Sequence, residues 1–326
     1  MKKRRDGTMK GMLFAPPLKR LSRPSAVPPF RLIPRDIAII SHVSRYRFLT
    51  SAQIAELDGG SHAQVLRRLR NLWAAGFLDR PKHQHAILAN WTDEGNKPLA
   101  YALGRLGAKI LKEHGIGAND KLDWTQKNSR VGALHLAHGL ETATALIQFT
   151  GDADAIGMTL MDHHELLPTM PEKTRQLRNP FCIRVTVSVP GSARPVLIGV
   201  VPDRLFSLAS GEERRNFALE LDRGEMSVNA KSLKKSSYRR KLLGYFHAWK
   251  QKRHTEVWGF QSFRLLTITT SEKRIDPMLA VQREITRDTA AGLFLYSTPE
   301  RLNAHGPLGH AWRSSEADGI SLLDRK

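Results

Sequence analysis

One stretch, residues 194–251, restricts the fold more than any other part of the chain. Residues 196–201 form a short apolar, β-branched run, the mark of a buried strand. Pro202-Asp203 interrupts it, residues 204–209 alternate polar with apolar, and the cluster at 210–216 reads as a turn. Residues 217–222 are a third strand. Strand side chains alternate between faces, so Glu220 and Asp222 share one face and Leu221 takes the other. Pairing of these three strands brings Asp203 near both acids. Carboxylates that meet on a sheet repel one another unless a cation or a basic group sits among them, and hard oxygen ligands suit Mg²⁺.

This pattern resembles the core of the PD-(D/E)XK nuclease-like fold. The resemblance implies that a Pro-Asp turn and an acid on the next strand hold Mg²⁺, and that a lysine two residues further on activates water. Asp203 and Glu220 fit the acidic positions, but Asp222 stands where the lysine belongs. Lys231 or Lys241 is then needed to bring the missing charge from a neighbouring element. The implied catalytic set is Asp203, Glu220, Asp222 and Lys241, with Asp203, Glu220 and Asp222 as metal ligands. The competing reading is a β-hairpin with acids at its solvent-facing end.

The 326 residues suffice for two domains with cores of their own. No apolar run approaches the roughly 20 residues of a membrane helix, the basic N-terminus lacks an apolar signal segment, and a lone Cys182 rules out an internal disulfide framework or a cysteine-based zinc site. The chain is therefore expected in the cytoplasm. Its net charge of +20 favours a polyanionic partner, nucleic acid above all.

Residues 1–32 carry nine basic residues against one acid, and five prolines prevent a regular helix. They predict a disordered basic arm that neutralises phosphates without reading sequence. From Pro34 the pattern turns helical, to about Arg45. A short helix over 52–57 follows, with Thr50 as N-cap. A third helix, from the Ser61 cap to Ala75, puts Val65, Leu69, Leu72 and Trp73 on its inner face and leaves His62, Gln64, Arg67 and Arg68 largely outside it. Gly76 ends that helix. A strand over 77–80, a basic loop with Lys82, His83, His85 and Lys97, a returning strand over 98–103 and a helix over 107–114 complete the unit. This order looks like a winged helix-turn-helix across residues 33–116, in which the third helix enters the major groove and the ribbon touches the backbone. His62, Gln64, Arg67, Arg68, Lys82 and His83 are the expected DNA contacts.

Residues 117–129 read as a linker, and residues 130–326 as an α/β domain with a mixed sheet, an α+β chain in all. The leading helix, about 130–149, sets His138 and Glu141 one turn apart, either as a satisfied couple or with the acid joining the metal site. Asp162-His163-His164-Glu165 is metal-like by composition but reads as a polar connection. Residues 231–251 are a basic helix or helix pair whose Tyr238, Leu242, Tyr245 and Trp249 face the core. A strand over 263–269, a helix over 277–287, a strand over 292–296 and a loop-rich tail with a docking Trp312 follow.

The order of features is similar to that of the replication-relaxation family of bacterial mobile elements. The matching residues are Arg35-Asp36-Ile37, residues 67–78, residues 135–141, Val201-Pro202-Asp203, and above all Leu219-Glu220-Leu221-Asp222-Arg223-Gly224. The resemblance implies a role in replication, relaxation or mobilisation of a plasmid or integrated element and establishes no chemical reaction; the leading expectation is a DNA-binding protein of such an element, with metal-dependent nicking by the nuclease-like core as its enzymatic form. The alternative is a non-catalytic transcriptional or replication regulator with a degenerate nuclease-like core. Expected partners are double-stranded DNA, replication or mobilisation proteins and a second copy of the chain; no membrane is expected.

Overall fold

The computed structural model describes residues 21–25, 29, 31–84, 98–116, 123–188, 195–230, 232–233, 235–287, 289–315 and 319–324. Most of the basic arm, His85, Lys97 and Lys231 lie outside them. Helix α1 (Pro34–Tyr46) opens on a proline, which suits a first turn, and buries Ile39, Ile40, Val43 and Tyr46 at helical spacing. A strand that the sequence did not announce, β1 (Phe48–Thr50), follows. Helix α2 (Ser51–Asp58) starts at a reciprocal cap. Thr50 Oγ1 accepts from the Gln53 amide at 3.2 Å, and the Gln53 side chain accepts from the Thr50 amide at 2.8 Å. Helix α3 (His62–Ala74) buries Val65, Leu69, Leu72 and Trp73. Gly76, at φ +86°, makes the turn into β2 (Leu78–Asp79), where a β-carbon would strain the backbone. Strand β3 (Ala100–Leu103) returns between the other two in an antiparallel sheet of order β1-β3-β2, and α4 (Arg105–Glu113) closes the unit.

Part of the expected linker is helical, α5 (Trp124–Ser129), because Asp123 caps the Gln126 amide at 2.9 Å. Helix α6 (Ala133–Ala155) runs beyond the expected end at about residue 149. Strand β4 (Thr159–Met161) leads to α7 (His163–Leu166). This short helix replaces the expected polar loop because Asp162 and Glu165 form a capping box. Helix α8 (Glu172–Arg175) and strands β5 (Ile183–Val187), β6 (Val196–Val200), β7 (Arg204–Ser210) and β8 (Glu213–Asp222) come next. Then come α9 (Tyr238–Lys250), α10 (Arg253–Trp258), β9 (Arg264–Thr269), α11 (Glu272–Thr286), β10 (Phe294–Ser297) and α12 (Pro299–His305). Helix α11 begins ahead of Pro277 and contains it.

The main sheet has the order β10-β9-β8-β7-β4. Strands β4, β7 and β8 are antiparallel neighbours, while β8, β9 and β10 run parallel through helical crossovers. The mixed sheet is the one expected, but β6 is not in it. β6 pairs with β5 in a separate two-stranded sheet, so only two of the three strands in the 196–222 stretch are neighbours. The ribbon packs on α9: a β-carbon on Gly244 would lie 2.4 Å from Val200 Cγ1, so the helix approaches it closely through a glycine.

One face of the main sheet carries Leu219, Phe217 and Leu266 into a core that also holds α6, Trp312 and the inner faces of α1 and α3. The other carries Ala218 and Leu265 against α9 and α11. The apolar core is thus continuous between the helical unit and the sheet. Where the two meet, a β-carbon on Gly139 would lie 2.5 Å from Phe48 Cδ2. Polar contacts pin the same seam: Arg45 Nε lies 2.9 Å from Asp162, and Arg204 donates to the Tyr46 carbonyl at 2.8 Å. No helix among the described residues is long and apolar enough to cross a membrane.

Candidate functional site

The register of β7 on β8 pairs Arg204 with Leu219, and one step further sets Asp203 beside Glu220 at the end of the strand pair. Asp203 Oδ2 accepts from the Leu221 amide at 2.8 Å, and Oδ1 lies 3.0 Å from His138 Nε2 on α6. Glu220 is 3% exposed. Its Oε1 accepts from the Tyr245 hydroxyl at 2.6 Å, and its Oε2 accepts from Lys241 Nζ. Lys241 and Tyr245 are one turn apart on α9, so a single helix face serves both oxygens.

These contacts set the charge states. Burial, then the neighbouring Asp203 carboxylate, pushes Glu220 up to about 7 against the pull of Lys241. Burial also acts to raise Asp203, but the His138 hydrogen bond and the Lys241 charge outweigh it and hold it below the usual carboxylate range. The hydrogen bond to Asp203 raises His138. Burial opposes the charge on Lys241, yet Glu220 and Asp203 together raise it. The cluster is thus two hydrogen-bonded groups, His138 with Asp203 and Lys241 and Tyr245 with Glu220, joined by the charge of Lys241 acting on Asp203.

Asp222 shares the face of Glu220 but has its own partners. Arg274 Nε and Thr269 Oγ1 donate to Oδ2, the latter at 2.7 Å, and Arg274 Nη2 donates to Oδ1 at 2.9 Å. All six oxygens of Asp203, Glu220 and Asp222 therefore accept from protein donors. Among the described residues no group of three or more His, Cys, Asp or Glu side chains is placed to hold a metal. This donor set does not fit Mg²⁺, because the ammonium of Lys241 and the guanidinium of Arg274 already lie where a cation would bind. His138 and Glu141 do not pair with each other: Glu141 lies 3.3 Å from Arg223 Nε. Beyond them a cleft of about 620 Å³ opens at the carboxyl ends of β8 and β9, lined in part by Glu141, Asp222, Arg223, Thr270 and Asn303.

On α3, His62, Gln64 and Arg67 are exposed, with Gln64 accepting from Arg35 at 3.1 Å. Arg68 is not a free reader. Its Nε donates to Asp36 Oδ1 at 2.7 Å, its Nη2 to Asp36 Oδ2 and to the Arg31 carbonyl, and Asp36 is wholly buried. Arg70, one turn beyond Arg67, is exposed instead; the i, i+3 spacing was the available signal. Lys82 and His83 stand exposed on a turn after β2 that the buried Gln84 anchors by accepting from the Ala100 amide at 2.8 Å.

His138, Tyr245 and Arg274 are the site residues that sequence reasoning did not assign. Their partners lie 65, 25 and 52 positions away, and no local pattern announces such contacts. Against known proteins, the model of the replication-relaxation family matches residues 40–260. No curated protein and no solved structure matches the chain.

Proposed function

Since the chain belongs to the replication-relaxation family, we propose that it is a duplex-DNA-binding protein of a plasmid or integrated element, acting in its replication, relaxation or mobilisation. The observation that carries this reading is the exposed basic face of α3, with His62, Gln64, Arg67 and Arg70, on a helix-strand-helix-helix-ribbon unit of a chain with net charge +20. That order of elements is the winged helix-turn-helix order, and its third helix is the one that enters the major groove. Lys82 and His83, at the base of the ribbon, are suited to the adjoining phosphates.

The nuclease-like reading of the sheet unit is supported by its leading helix, three antiparallel strands, helix and parallel strand, with the β5-β6 ribbon inserted between the first strand and the second. Asp203 immediately precedes the second strand and Glu220 sits on the third. The non-catalytic form of the reading is favoured, because Lys241 and Arg274 engage the acids that Mg²⁺ would need. The core then acts as a rigid clamp beside the reading helix. The test is duplex affinity over a salt series. Log affinity should fall by about 0.9 per phosphate neutralised for each unit of log salt, and Arg67→Ala with Arg70→Ala should remove sequence preference. A salt-independent or absent affinity contradicts the proposal.

A further inference from the structure

Among the described residues Arg47, between α1 and β1, forms no ion pair. Its backbone sits at φ +73°, ψ −49°, a conformation that a β-carbon makes costly and that tends to persist where function requires it. Its guanidinium carbon lies 4.3 Å from the Phe48 ring centroid and 5.1 Å from that of Trp124. Both terminal nitrogens are sealed from solvent, and neither has a hydrogen-bond partner among the described residues. Burial, then the charge on Arg204, brings the group down to about 10. Unpaired buried cations are costly and call for an explanation.

One neighbour adds like charge and the other an imidazole. Lys127 Nζ lies 4.8 Å from the Trp124 ring, and His135 meets Phe48 edge-on at 6.1 Å. Both residues are exposed, and among the described residues neither forms an ion pair. Partial burial and then Arg47 lower both of them. The carboxylates that act on Arg47 and His135 are Asp79 and Asp203, and both are committed elsewhere. Asn128 donates to Asp79 at 2.9 Å and Arg23 pairs with it, while Asp203 serves His138 and the Leu221 amide. A planar guanidinium matches the geometry of phosphate oxygens, and convergent donors around it supply the charge.

We propose that Arg47, Lys127 and His135 form a phosphate seat at the seam between the helical unit and the sheet, with Trp124 as its cover. His135 is one turn from His138, so a seated phosphate adjoins the Asp203 centre. With a DNA backbone as its source, the inference rests on the DNA-binding reading; free phosphate is the other source.

The experiment uses the full chain. Thermal unfolding is followed in inorganic phosphate and in chloride of equal ionic strength, and duplex affinity is followed over a salt series. Phosphate should raise the Tm of the wild type, and Arg47→Met should abolish that rise. If the seat takes the DNA backbone, Arg47→Met should also lower the slope of log affinity against log salt by about 0.9. A lost Tm rise with an unchanged slope assigns the seat to free phosphate. The double variant Lys127→Ala, His135→Asn, altered only at exposed positions, gives the same readings should Arg47→Met fold poorly. An equal phosphate rise in wild type and variants, or no rise in the wild type with an unchanged slope, overturns the seat. Failure of the DNA-binding reading looks different, because then no variant and no wild type binds duplex at all.

Discussion

Replacing Lys241 by methionine should have a cost that depends on pH in a way set by Glu220. In the wild type, burial holds the Glu220 carboxyl at about 7, against 4.5 for the unperturbed group. Below pH 7 the folded state keeps it protonated, and Lys241 faces a neutral partner. Above pH 7 it ionises, and Lys241 then neutralises a buried carboxylate. Methionine removes that option and leaves Glu220 protonated to a higher pH. The penalty of Lys241→Met relative to wild type should therefore be smallest at pH 5.5, where Asp203 alone faces Lys241 as an anion, and grow by about 1.4 kcal/mol per pH unit above 7. At pH 8.5 it should exceed its pH 5.5 value by about 2 kcal/mol. The wild type has the matching dependence. A raised carboxyl contributes stability that is complete below 4.5 and lost as pH rises through about 7, roughly 3 kcal/mol in total. Urea unfolding of both proteins from pH 5.5 to 8.5 measures the difference. A penalty that is the same at every pH would mean that Lys241 does not answer to the charge on Glu220, and the argument would be refuted.

Two further outcomes concern stability elsewhere. Arg68→Ala should destabilise the helical unit by about 3 kcal/mol, since it strands the buried Asp36 carboxylate, whereas the exposed Arg67→Ala should stay within about 0.5 kcal/mol; equal effects in urea unfolding would contradict the assignment. Burial, then Arg204, holds His163 at about 3 against 6.5 unfolded, so the unfolded chain binds the extra proton. The corresponding stability is complete above pH 6.5 and lost as pH falls toward 3, about 2 kcal/mol by pH 5. His163→Asn should flatten that acid limb, and an unchanged limb would place the proton uptake elsewhere.

Much of the helical unit was legible because its signals are local. The stripe Val65, Leu69, Leu72 and Trp73, the Thr50 cap and Gly76 each act within one turn, and each is found where expected. Strand alternation likewise put Glu220 and Asp222 on one face. What that alternation could not reveal was the partner of each acid. Tyr238, Lys241 and Tyr245 lie at helical spacing, so Lys241 was readable as facing inward, but its meeting with Glu220 depends on how α9 crosses the sheet. His138 and Glu141 were read as neighbours from their spacing, yet tertiary packing turned one to Asp203 and the other to Arg223. Strand β6 carries an ordinary strand pattern, and nothing in that pattern indicates pairing with β5 rather than β7.

The central claim, a protein that binds duplex DNA beside a core whose acids are neutralised by Lys241 and Arg274, is tested most directly on supercoiled plasmid. The protein is incubated with plasmid at low salt, in Mg²⁺ or in EDTA, and both the retardation and the topology of the DNA are read. The expected result is retardation in either condition, with the plasmid still supercoiled after the protein is removed. Nicked circles that form only with Mg²⁺ and disappear with Glu220→Gln, or plasmid that is not retarded at all, would contradict it.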